Sequence, residues 1–127
     1  MKEELKELLK NSKSMYYHYQ VASILVTEDG VMFPGVNVEC SSQGSGVCAE
    51  RNSLYSAISN GYTKFSHLYL MCEKGDLIYP CFICRQALLD YCDENMPITI
   101  YYNGGEKTVT VKDLTPFAFG GDNLKWK

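Results

Sequence analysis

The chain has no run of apolar residues approaching the roughly 18 needed to cross a membrane. It has no run of basic residues either: 12 lysines and arginines against 15 acidic residues leave a net charge of −3. A nucleic-acid binder needs a positive footprint for the phosphate backbone, so this balance argues against nucleic acid and for a small neutral ligand. Residues 1–12, MKEELKELLKNS, carry charges between their leucines. That excludes the uninterrupted core of a signal peptide and predicts an amphipathic helix. Repeats, linkers and low-complexity tracts are missing as well. The expectation is a soluble, cytoplasmic protein with one domain over residues 1–127.

What is present patterns cleanly. Leu5, Leu8 and Leu9 give a first helix, ending near Asn11, its apolar stripe. YQVASILVTEDG (19–30) and VMFPGVNVE (31–39) read as a β-hairpin about Asp29-Gly30, with Pro34 marking an edge or a bulge in the second strand. From Cys48 to about Asn60 there is no Gly or Pro, and Leu54, Ala57 and Ile58 recur at helical spacing before Asn60-Gly61, which suits a left-handed cap. Residues 66–76 read as a strand ending at Gly75, residues 82–92 as a helix, and MPITIYYNGGEKTVTV as two strands about a Gly-Gly turn. The order α β β α β α β β predicts an α/β fold: a three-layer α/β/α arrangement around a mixed five-stranded sheet. The tail FGGDNLKWK is expected to pack on the body or on a neighbour.

Six cysteines, at 40, 48, 72, 81, 84 and 92, need sorting. In a reducing compartment they are ligands, catalytic groups or small core residues rather than disulfides. Cys81 and Cys84, in Pro-Cys-Phe-Ile-Cys at a helix start, turn two sulfurs one way, and the N–H groups there favour thiolates. By itself this spacing fits a redox pair or part of a structural zinc site equally well. The second helix start, at Cys48, changes the balance. Two helices beginning at one edge of a sheet bring Cys48, Cys81 and Cys84 together, and three soft donors suit zinc. A fourth ligand is hard to find. His18 and His67 lack ligand spacing and read as surface or hydrogen-bonded residues, while Cys40, Cys72 and Cys92 read as small buried residues.

Three ligands and an open fourth position are the pattern of a catalytic zinc site, where a bound water becomes acidic. Such a site needs a proton carrier. Glu50 stands two residues after Cys48 in the same helical turn. Alone it would be a dipole-compatible surface charge, but beside the cysteines it reads as a general acid and base.

Cys48-Ala49-Glu50 followed by Pro80-Cys81-Phe82-Ile83-Cys84 resembles the signature of the zinc-dependent cytidine deaminases, in the small homotetrameric branch with all-cysteine ligands. The likeness runs from about Tyr16 to Leu124 and includes Tyr19-Gln20-Val21, Gly35-Val36-Asn37-Val38-Glu39, Cys84-Arg85-Gln86 and Phe117-Ala118-Phe119-Gly120. It implies Zn²⁺ on the three cysteines, Glu50 as proton shuttle, and Asn37 and Glu39 on the sugar hydroxyls. Tyr19 would flank the pyrimidine, with backbone near Cys48 and Ala49 reading the base. Phe119 would reach a neighbouring subunit's site. Three thiolates and Zn²⁺ sum to a negative centre, and Arg51, donating to the sulfurs, would draw that charge back. The implied reaction is hydrolytic deamination of a cytosine nucleoside, as in pyrimidine salvage.

The chain departs from the family pattern at Cys40-Ser41-Ser42-Gln43, at Phe82-Ile83 where small residues are common, and at Tyr19 where phenylalanine is usual. These departures keep other cytosine nucleosides, such as blasticidin S, open as substrates, although Glu39 favours the ordinary nucleoside. From another class, a zinc-stapled binding module without turnover is the competing reading.

Overall fold

A computed structural model describes residues 1–120 and 123. The expected packing of the tail, beyond its start at Phe119-Gly120, and the far end of the resemblance at Leu124 lie outside the described residues, Asn123 apart. The elements are α1 (Lys2–Leu9), β1 (Val21–Thr27), β2 (Met32–Val36), α2 (Ala49–Ser59), β3 (Phe65–Cys72), α3 (Phe82–Tyr91), β4 (Pro97–Tyr102) and β5 (Gly105–Thr110), followed by a short 3₁₀ turn, Lys112–Leu114. They form one sheet in the order β2-β1-β3-β4-β5. The β3–β4 pair is parallel and the other pairs are antiparallel, so the sheet is mixed as the element order predicts.

The apolar run of β1 is continuous because both faces of the strand are covered. Ala22 and Ile24 join Leu5 and Leu9 of α1 and Met71 of β3 in a small core on one face. Leu25 joins the larger core under α2 and α3 on the other. There Leu25, Leu68 and Ile98 stand abreast on three neighbouring strands, all fully buried. Each contributes on the order of 2 kcal/mol relative to exposure. Pro34 sits on the edge strand β2, where a missing N–H costs no ladder bond.

Helix α2 stops where its sequence says it should. Gly61 takes φ +91, its N–H bonds the Ile58 carbonyl, and the Tyr62 N–H bonds that of Ala57, a Schellman closure. Two expected boundaries move. β3 ends at Cys72 rather than at Gly75, because Gly75, at φ +75, turns back to bond the Cys72 carbonyl. β2 ends at Val36 because Asn37 bonds the start of β1 through its side chain, accepting from the Val21 N–H at 2.9 Å. No helix among the described residues is long and apolar enough to cross a membrane.

Topology decides where the site lies. β2 and β3 both run antiparallel to β1, so they run parallel to each other and end at the same edge of the sheet. Each is followed by a helix, and α2 and α3 therefore begin side by side, with Cys48 and Cys81 as their respective N-caps.

Candidate active site

At this edge the sulfurs of Cys48, Cys81 and Cys84 lie within 4.8 Å of one another. Cys81 Sγ is 3.6 Å from both Cys48 Sγ and Cys84 Sγ. Zinc–sulfur bonds of about 2.3 Å in tetrahedral geometry place ligand sulfurs about 3.8 Å apart, so the cluster has the spacing as well as the softness that zinc requires. All six cysteines are free thiols. Cys72 and Cys92 are buried as expected, whereas Cys40 is exposed, a correction to the sequence reading. Cys40 stands at the start of a loop that leaves the sheet edge, where nothing packs over it. His67 bonds Thr99 Oγ1 through Nε2 at 2.7 Å and His18 is exposed, so neither histidine joins the sulfurs.

The metal-free cluster is already polarised. The Cys48 thiol is lowered to about 5, first by the bond it receives from Cys84 and then, against its burial, by Arg51 and Cys81. Cys84 is pushed up, because it is the partner that keeps the shared proton. Arg51 donates from Nη2 to Cys48 Sγ at 3.7 Å. Burial works against its charge, but the sulfurs of Cys84 and Cys48 outweigh that and hold the guanidinium protonated.

Glu50, 5% exposed, is the one buried carboxylate among the described residues. Burial pushes it up to about 7, opposed by its own backbone N–H and by Arg51 and reinforced by the charge on Cys48. Its place is held from beneath. Ser23 on β1 donates to the Ala49 carbonyl at 2.8 Å and meets Ser53 Oγ at 2.9 Å, and Asn52 Nδ2 donates to the Val36 carbonyl at 3.0 Å.

A cavity of about 430 Å³ opens on these groups. Cys48, Ala49, Glu50 and Cys81 form its floor, and Tyr19, Asn37 and Glu39 its side. Glu39 accepts from the Tyr16 and Tyr17 N–H groups at 2.8 and 3.1 Å and from Ser14 Oγ at 2.9 Å. Burial raises its pKa, and these donors together lower it further, so the carboxylate stays ionised. Asn37 Oδ1 accepts from Ser12 Oγ and the Val21 N–H, and its Nδ2 donates to the Tyr19 carbonyl at 2.8 Å. Both side chains are thus fixed before any ligand arrives. Phe119 lies outside this cavity within one chain; it is exposed, and its carbonyl accepts from Gln86 Nε2 at 2.9 Å.

Val21, from the segment Tyr19-Gln20-Val21, also lines the cavity, as do Tyr17, Ile78 and Tyr79, which escaped the sequence reading. For Ile78 and Tyr79 a signal existed: they lie immediately before Pro80-Cys81 and so had to approach the sulfurs.

The family model described as the cytidine and deoxycytidylate deaminase zinc-binding region matches residues 1–100. A cytidine deaminase of Sporosarcina psychrophila is 30% identical over 124 residues, covering 97% of this chain and 91% of that one. A blasticidin-S deaminase of Bacillus cereus is 26% identical, with 91% and 90% covered. The crystal structure of a cytidine deaminase from Burkholderia pseudomallei superposes with a TM-score of 0.85 at 32% identity, covering 92% of this chain and 94% of that one.

Proposed function

The chain belongs to the zinc-binding cytidine and deoxycytidylate deaminase family, a family of hydrolytic deaminases, and we propose that it converts cytidine and deoxycytidine to uridine and deoxyuridine with release of ammonia. The observation that carries this reading is a cluster of three cysteine sulfurs, two of whose residues, Cys48 and Cys81, line a single cavity together with one buried carboxyl, Glu50. Cys48, Cys81 and Cys84 would hold Zn²⁺, which supplies an activated water for attack on C4 of the base.

The chain's own groups do the rest. The Glu50 carboxylate takes a proton from the attacking water and delivers it toward the departing amine, without holding the metal. Arg51 offsets the negative charge of the thiolates. Asn37 and Glu39, at the side of the cavity, take the sugar hydroxyls; each keeps spare capacity, an N–H on Asn37 and a lone pair on Glu39. Tyr19 packs against the pyrimidine, and the backbone at Ala49 reads its edge.

We place the protein in the cytoplasm, in pyrimidine salvage, as a homotetramer in which Phe119 completes a neighbour's site. Exposed Phe82, Ile83, Tyr91, Phe117 and Phe119 supply apolar surface for such contacts.

The test is ammonia release from cytidine, deoxycytidine, cytosine nucleotides and blasticidin S by the zinc-loaded protein. Cytidine and deoxycytidine are expected to react, and Glu50→Ala to keep its zinc while turnover falls roughly 10²- to 10⁴-fold. Reaction of blasticidin S alone would move the substrate toward the Bacillus cereus relative. Retained zinc with no turnover of any compound would leave a zinc-stapled binding module.

A further inference from the structure

One wall of the cavity is the segment between β3 and α3, residues 73–80, which contributes Ile78 and Tyr79 and leads into Cys81. Its first residues are well held. The Glu73 N–H bonds the Gln20 carbonyl at 3.0 Å, and the Gly75 carbonyl accepts from the Asn103 N–H at 2.9 Å. At the far end, Arg85 Nε donates to the Pro80 carbonyl at 2.7 Å. Between these ties, from Leu77 to Tyr79, the main chain makes no hydrogen bond among the described residues.

Within the stretch, the Tyr79 side chain meets Lys107, whose Nζ stands 5.6 Å from its ring centre; a second side-chain anchor flanks the stretch at Asp76. Tyr19, at the side of the cavity, donates its hydroxyl proton to Asp76 Oδ2 at 2.8 Å, across 57 residues of sequence. Cys72 Sγ lies 3.4 Å from the same hydroxyl and 3.7 Å from the Asp76 carbonyl, and Lys74 Nζ stands 5.4 Å from the centre of the Tyr19 ring. Burial, with Cys72 and Asp76, raises the phenol above its ordinary range, so it remains a donor throughout the working pH range.

We propose that Asp76 is a positioning residue: through Tyr19 it fastens the 73–80 segment so that Ile78 and Tyr79 form a fixed wall of the binding cavity. The identity of the ligand that meets this wall rests on the function proposed above; the fastening does not. An ordered wall saves the ligand the cost of ordering it, so loosening the wall weakens binding more than it slows the chemical step.

The test uses the full zinc-loaded chain and four variants, Tyr19→Phe, Asp76→Ala, Asp76→Asn and the double variant Tyr19→Phe/Asp76→Ala. Hydrogen exchange without ligand is expected to quicken roughly 3- to 10-fold at the Gly75 and Asn103 amides, whose bonds to the Cys72 and Gly75 carbonyls hold the segment beside Asp76, in Tyr19→Phe and Asp76→Ala. The double variant is expected to be no faster than either, because the two changes cut the same bond. Asp76→Asn, which still accepts the proton, restores most of the protection. KM for cytidine is expected to rise by a similar factor in the first two variants, with kcat within about twofold and zinc content unchanged. Unchanged exchange overturns the fastening, and faster exchange with unchanged KM overturns its role in binding. If the wild type deaminates no nucleoside, the proposed function fails while the exchange measurement still decides the fastening.

Discussion

Ser23 Oγ donates to the carbonyl oxygen of Ala49 at 2.8 Å, from the middle of a strand buried on both faces. In the row Ser23, Leu70 and Ile100 across three strands it is the polar member, and its partner is the first residue of α2, between Cys48 and Glu50. Next to it, Gly35 packs so tightly under the helix that a Cβ would collide with the Ala49 carbonyl and the Ser53 nitrogen. The sheet therefore sets the height of the turn that bears the chemistry. Ser23→Ala is expected to cost about 1 kcal/mol, and Gly35→Ala about 1–3 kcal/mol through overpacking. Urea unfolding of the zinc-loaded protein measures both. Gly35→Ala should also lose activity at temperatures where it remains folded, since backbone must shift at Ala49.

Arg51 and Cys48 make a prediction for the metal-free chain. The Cys48 thiol sits at about 5, held there by Cys84 and then by Arg51 and Cys81. Replacing Arg51 with Gln removes the positive charge that favours the thiolate, so the titration moves toward the ordinary thiol value of ~8.5. Thiolate absorbance followed against pH in the metal-free protein and in Arg51→Gln tests this. Coincident curves would show that the cysteines polarise one another without help. Zinc loading, which requires thiolates, is expected to weaken in the variant toward acid pH.

The start of α2 was legible because its signals are local: a Gly-Ser-Gly loop, a stretch free of Gly and Pro, and Asn60-Gly61 at the end. The meeting of Cys48 with Cys81 and Cys84 was legible too, since the strand order implied by a tight hairpin and two helical crossovers leaves few ways to place two helix starts. The partners of Asn37 and Glu39 were not. Ser12 and Ser14 lie 25 residues away on the segment after α1, and no periodicity marks a serine as a clamp. Cys40 misled for the same reason: burial of a small residue at the end of an extended stretch depends on what crosses it, and nothing does. Tyr17 is exposed and irregular in backbone, so only the convergence of three loops makes it a cavity residue.

Those clamps separate two roles of one carboxylate. Glu39 holds the turn that carries Tyr17 and also faces the cavity, so Glu39→Ala removes a ligand group and loosens the turn together. Ser14→Ala keeps the Glu39 carboxylate in the cavity and loosens what holds it, because Ser14 Oγ bonds Glu39 and also accepts from the Tyr19 N–H at 2.7 Å. Steady-state kinetics on cytidine are expected to show KM raised by about 2- to 5-fold in Ser14→Ala and by at least tenfold in Glu39→Ala, with zinc content unchanged in both. Equal effects would mean that Glu39 acts through the turn alone.

His67 gives the fold a dependence on pH that is independent of the sulfurs. Its ring stacks on Tyr69 with centroids 4.0 Å apart, and Nε2 meets Thr99 Oγ1 at 2.7 Å. Burial lowers its pKa below the ordinary value of ~6.5. The unfolded chain therefore takes up this proton first as the pH falls. Stability from the neutral ring is complete above pH ~6.5 and is lost progressively from there down to the folded-state value. Other groups titrate in this range, so the quantity to compare is the difference between wild type and His67→Gln, whose side chain can still bond Thr99 but cannot ionise. Urea midpoints measured from pH ~7.5 to pH ~5.5 should converge as the pH falls, because the wild type loses a term that the variant never had. Parallel curves would place the protonated imidazolium comfortably in the fold and show that burial does not depress its basicity.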